Sequence, residues 1–93
     1  MNDKPLISIL MNCYNGSRYL IESIESALNQ TYQNWELIFW DNCSTDNSYE
    51  VFCQYNDTRL RYFKSDVHTG LGMARYQALE KAKGEFIAFL DCD

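Results

Sequence analysis

No apolar run in this sequence approaches the roughly 20 residues that a bilayer-spanning helix needs. The N-terminal Met1, Asn2, Asp3 and Lys4 do not begin a basic-then-apolar targeting signal. Positive charge is also scarce. Eight Lys and Arg face thirteen Asp and Glu, for a formal net charge of -5, and the cations are scattered rather than gathered into a stripe, which disfavours nucleic acid as a partner. The four cysteines at 13, 43, 53 and 92 never stand in a CxxC spacing, so reduced thiols are expected rather than a disulfide framework. A zinc module built from Cys13, Cys43, Cys92 and His68 lacks the paired ligand spacing of known zinc sites. Only four glycines occur. Gly16 alone serves the first turn, and Gly70 and Gly72 are followed by Arg75 where a dinucleotide fingerprint wants its third glycine. A GxxxxGK[ST] phosphate loop is missing too. Together these absences point to a protein of the cytosol, including one that works at the inner face of a membrane.

What the chain does have is a soluble globular composition, with 46% hydrophobic and 15% aromatic residues over 93 positions. Short uninterrupted apolar runs at 6–11, 37–40 and 86–90 suit strands buried on both faces of a parallel sheet. A fourth run at 60–63 alternates, with Leu60 and Tyr62 on one face and Arg61 and Phe63 on the other, as an edge strand would.

Helical spacing fills the intervals. The first helix is expected at 17–29, capped by Ser17, with Leu20, Ile24, Ala27 and Leu28 inward. The second is expected at 47–55, capped by Asp46, with Val51 and Phe52 inward. The third is expected at 71–83, with Leu71, Ala74, Ala78, Leu79 and Ala82 on one face, Lys81 and Lys83 at the negative end of the dipole, and Gly84 as the stop. Alternating strand and helix predicts an α/β fold, a Rossmann-like, doubly wound, mostly parallel sheet.

In such sheets ligands gather at the carboxyl ends of the strands. Those ends are polar here: Asn12, Cys13, Tyr14, Asn15 and Gly16 after the first, Asp41, Asn42, Cys43, Ser44, Thr45 and Asp46 after the second, Asp91, Cys92 and Asp93 after the last. Asp91 and Asp93 standing close would repel unless a cation intervened, and Mg²⁺ or Mn²⁺ is usually held by one or two carboxylates together with substrate phosphates. A solvated turn is the plainer reading of a DxD triplet met by itself.

The triplet is not by itself. ISILMNCYN at 7–15, SALNQTY at 26–32, ELIFWDNCSTD at 36–46 and GEFIAFLDCD at 84–93 resemble, in order and spacing, the successive motifs of family 2 glycosyltransferases. The resemblance spans essentially the whole chain and implies the N-terminal half of a GT-A fold, truncated at the DxD motif. It implies that Asn12, Tyr14 and Asn15 line the base and ribose of a nucleotide-sugar donor. Asp41 and Asn42 stand where the family commonly has two aspartates, and the oxygen of Asn42 is expected to accept the imide N–H of uracil or thymine.

By the same resemblance HTGLGMARY at 68–76 leads into the third helix with Arg75 near the donor. A surface role for Arg75 reads almost equally well from the residues. Asp91 would meet the ribose or, through water, the metal, and Asp93 would ligate the ion. The resemblance further implies an inverting transfer, with a UDP-sugar favoured, to a glycan or lipid-linked acceptor in cell-envelope polysaccharide synthesis. The catalytic base is expected in a half not included here, so the chain is expected to be a fragment that binds donor without turnover. The alternative is a non-catalytic nucleotide-binding or self-associating module, forming a homodimer through the exposed edge of the last strand.

Overall fold

All four apolar runs form strands. The computed structural model describes residues 4–90, in which β1 (Ile7–Cys13), α1 (Ser17–Leu28), β2 (Trp35–Asp41), α2 (Ser48–Phe52), β3 (Leu60–Lys64), α3 (Leu71–Leu79) and β4 (Phe86–Phe89) follow in that order. The sheet order is β3-β2-β1-β4, and every neighbouring pair is parallel. Ile7 stands opposite Trp35 on one side and Phe86 on the other, and Leu37 stands opposite Leu60. The chain therefore winds outward from β1 to β3 and then crosses back to β4. That reversal at β1 is the topological switch point at which open α/β sheets bind ligands.

β2 is buried along its whole length, as a central strand covered on both faces must be. One face carries Ile9, Met11, Leu37 and Phe39 against Leu20, Ile24 and Ala27 of α1 and Val51 and Phe52 of α2. The other carries Leu10, Ile38 and Trp40 against Ala74 and Ala78 of α3. The alternation expected of β3 holds, since Leu60 and Tyr62 join the first cluster and Phe63 the second.

Several expectations are corrected. β4 is exposed at all four positions, Phe86 and Phe89 by 59% and 57%, because it is an edge strand with no neighbour beyond it among the described residues. α3 stops at Leu79, so Lys81 and Lys83 lie past its last turn. Its inward face is made of alanines, while Leu71 and Leu79 are exposed by 55% and 45%; only a small side chain fits where a helix axis lies close to the sheet. Ser17 is the first residue of α1 rather than its cap. The N-cap is Gly16, without a side-chain bond. Asp46 stands one residue before the N-cap Asn47, yet still accepts from the Ser48 amide at 3.0 Å and its hydroxyl at 2.6 Å.

The amino ends of the strands are tied by one buried acid. Glu36 accepts from Ser8 Oγ at 2.7 Å, the Lys83 amide at 2.7 Å and Arg61 Nη1 at 2.8 Å. Ser8 Oγ in turn accepts from the Gly84 amide at 2.8 Å. Burial pushes the Glu36 carboxyl up, but the bonds from Ser8, Lys83 and Arg61 outweigh it and hold the group below its ordinary value.

Candidate functional site

At the opposite edge the parallel register brings the polar strand ends together. β1 and β2 finish level, Cys13 opposite Asp41, and their ladder runs one bond further, from the Asn42 amide to the Cys13 carbonyl at 2.8 Å. Cys43 then takes a left-handed conformation, φ 64°, and turns the chain.

Asp41 is 1% exposed. One of its oxygens accepts from the Ser44 amide at 2.7 Å, and the other accepts from the hydroxyl of Tyr62 on β3. Burial first, and then this carboxylate, push the Tyr62 phenol far above its usual range. Asp41 is thus a structural acid that shapes the turn beneath the site.

Asn15 joins the two loops. It is left-handed, φ 51°, which asparagine tolerates better than most residues. Its Oδ1 accepts from the amides of Thr45 at 2.8 Å and Asp46 at 3.2 Å, and its own amide donates to Ser44 Oγ at 2.9 Å. Asp46 closes the circle by accepting from the Ser17 amide at 3.2 Å. Burial raises the Asp46 carboxyl, but the Ser48 and Ser17 bonds together hold it below its ordinary value.

The residues left facing outward are the more apt to meet a ligand. Tyr14 is 49% exposed and meets His68 edge-on, ring centroids 4.2 Å apart. Asn12 is a half-buried residue of β1. Asn42, 7% exposed, bonds with both ends of its amide to Thr69 in the loop before α3. Arg75 sends its guanidinium over the Phe89 ring, 5.3 Å from the centroid, toward the end of β4. Leu90, the last described residue, still donates its amide to the Leu10 carbonyl at 3.0 Å. Asp91 and Asp93 lie outside the described residues. Among those described, no group of three or more His, Cys, Asp or Glu is placed to hold a metal.

Sequence reasoning gave His68 and Thr69 only as the lead into the third helix; their contacts with Tyr14 and Asn42 span more than fifty and more than twenty-five positions, which no local signal reveals. Ser44 and Tyr62 were equally unmarked as partners of Asn15 and Asp41. The expectation of reduced thiols holds for Cys43 and Cys53 and is corrected for Cys13, which is disulfide-bonded.

Comparison with known proteins agrees with this arrangement. A model of the family described as Glycosyl transferase family 2 matches residues 8–93. The chain belongs to that family. It is 38% identical over 94 residues to the putative teichuronic acid biosynthesis glycosyltransferase TuaG of Bacillus subtilis (strain 168), covering 99% of this chain and 37% of that one. It is 42% identical over 91 residues to WfgD of Escherichia coli, described as a UDP-Glc:alpha-D-GlcNAc-diphosphoundecaprenol beta-1,3-glucosyltransferase, with 98% and 36% covered. The crystal structure of S. aureus TarS 1-349 in complex with UDP-GlcNAc superposes with a TM-score of 0.88 at 31% identity, covering 94% of this chain and 26% of that one. The fold is accordingly the GT-A type, in its N-terminal part. The chain spans little more than a third of the curated relatives it matches. Among the described residues no helix is long and apolar enough to cross a membrane.

Proposed function

We propose that this chain is the nucleotide-sugar-binding part of an inverting glycosyltransferase that takes a UDP-sugar and extends a glycan or lipid-linked acceptor in cell-envelope polysaccharide synthesis, at the cytoplasmic face of the membrane. The observation that carries the reading is the convergence at the switch point of β1: Tyr14 and His68 in edge contact on one side, and Arg75 over Phe89 on the other, just ahead of Asp91 and Asp93 in the sequence. The base and ribose lie against residues 12–15, with Tyr14 offering an exposed ring for stacking. Asn15 and Asp41 build that surface from beneath. Arg75 supplies positive charge for the diphosphate.

Asp41 has both oxygens engaged by Ser44 and Tyr62 and offers no free ligand to a metal, so Asp91 and Asp93 are the carboxylates that would hold Mg²⁺ or Mn²⁺. Such an ion, when bound, supplies charge stabilisation for the departing nucleoside diphosphate. The relatives named for UDP-glucose transfer and solved with UDP-GlcNAc support a uridine donor, and a diphosphoundecaprenol-linked acceptor is the kind named for WfgD. The chain alone binds donor without turnover.

Calorimetric titration with UDP, with and without Mn²⁺, tests this, alongside Asp93→Ala and an ADP control. Metal-dependent UDP binding that is lost in Asp93→Ala and unmatched by ADP is the expected result. No nucleotide binding by the folded chain overturns it. The exposed edge of β4 favours a second reading, self-association through strand pairing; sedimentation of the nucleotide-free chain as a concentration-independent monomer overturns that one.

A further inference from the structure

The loop between β3 and α3 is stitched to the end of β2 at three successive residues. The Ser65 amide donates to the Asp41 carbonyl at 2.8 Å, and the Cys43 thiol lies 3.6 Å from the Asp66 carbonyl. Between them Asn42 makes a reciprocal pair with Thr69. Its Nδ2 donates to the Thr69 carbonyl at 2.8 Å, and its Oδ1 accepts from the Thr69 amide at 3.0 Å and hydroxyl at 3.3 Å.

The Thr69 amide takes one lone pair of the Asn42 oxygen. The Thr69 hydroxyl lies 3.3 Å from both that oxygen and the Gly70 carbonyl and divides its single proton between them. Asn42 is buried and paired at both ends of its amide, so its hydrogen bonds are directed to the loop. The residues next to this pair are those the donor reading needs in place: His68, edge-on to Tyr14, and Gly70, which opens the helix that carries Arg75. An aspartate here would keep the accepting half of the pair but set a carboxylate oxygen against the Thr69 carbonyl, two acceptors with no proton between them.

We infer that Asn42 is a positioning residue. It acts through Thr69 to hold His68 against Tyr14 and to seat the start of α3, and it does not accept a hydrogen bond from the base of the nucleotide. The part of this concerning nucleotide affinity rests on the donor-site reading; the clamp itself does not. The position therefore favours an amide, whose separate donor and acceptor atoms meet the carbonyl and the amide of one backbone residue at once.

The test uses the 93-residue chain and the variants Asn42→Asp, Asn42→Ala and His68→Ala. Two measurements are made on each: the NMR resonances of the His68 and Tyr14 rings and the Thr69 amide, and UDP affinity in the presence of Mn²⁺. Both Asn42 variants are expected to lose the mutual ring-current shifts of Tyr14 and His68, and Asn42→Asp to weaken UDP at least tenfold. Asn42→Ala and His68→Ala combined are expected to be less than additive, because they remove the same contact. A base-facing acceptor predicts the opposite, with Asn42→Asp binding UDP as tightly as the parent or more tightly, and that result overturns the inference. Where the parent binds no nucleotide the donor reading fails, and the clamp is still decided: unchanged His68, Tyr14 and Thr69 resonances in both Asn42 variants overturn it.

Discussion

Asp41 shows how a buried strand-end carboxylate is satisfied by its neighbours. With 1% exposure its oxygens need hydrogen-bond partners, and Ser44 provides one from the loop after β2 while Tyr62 provides the other from β3. Tyr62 also packs its ring against Phe39 and Phe52, so its hydroxyl is held by the core rather than by the loop. Tyr62→Phe keeps that packing and removes only the donor to a buried carboxylate. It is expected to destabilise the chain by about 1–3 kcal/mol, measured as a lower urea midpoint with an unchanged slope. The Asp41 and Tyr62 types are both visible in the sequence. Their pairing is not, because it depends on β3 lying beside β2 in one register.

Among the elements, β4 depends most on what precedes it. Residue 84 passes so close to β1 that a Cβ there would meet Ser8 Oγ at 2.6 Å, the Leu6 carbonyl at 2.7 Å and the Ser8 amide at 2.8 Å. Two of those are backbone atoms and cannot swing away. Gly84→Ala is therefore expected to cost about 1–3 kcal/mol or more, and to raise hydrogen exchange at the amides of β4 more than at those of β2. The glycine was legible as a stop signal for the third helix, yet its constraint comes from the neighbouring strand. The third helix shows the same limit. Its apolar residues gave its existence and its start at Leu71, but Ala74 and Ala78 face the sheet while Leu71, Met73 and Tyr76 face outward. A helix apolar on several sides does not announce which side packs.

For the molecule as a whole, stability is coupled to pH through carboxylates held below their ordinary values. Glu36, Asp46 and Asp57 all have folded-state pKa values lowered. Burial is outweighed by hydrogen bonds in the first two, and Arg59 bonds to the third. A group lowered on folding stabilises the native state above its unfolded pKa, and that stability is lost as pH falls through the folded one. Unfolding free energy is therefore expected to be level near neutrality and to decline as pH drops below about 4.5, the ordinary glutamate value. Glu36→Gln should be less stable at pH 7 and show a shallower acid limb, read from urea midpoints between pH 3 and pH 7. An equally steep limb in that variant would assign the acid sensitivity elsewhere.

Element order and strand identity follow from the chain alone, because a parallel sheet buried on both faces requires uninterrupted apolar runs and crossovers require helices between them. The same logic sends the polar residues after each run to one edge, which is why Tyr14 and Asn42 could be singled out before any coordinates, whereas Arg75 came from the family resemblance alone. Their roles within that edge were decided by tertiary structure. Whether a side chain faces a ligand or a neighbour depends on which loops the sheet register sets beside each other. Here it sets Thr69 against Asn42, Tyr62 against Asp41 and His68 against Tyr14. Those partners lie at least twenty residues apart in sequence, beyond the reach of helical or strand periodicity, and only the packed sheet brings them within a hydrogen bond or a ring contact.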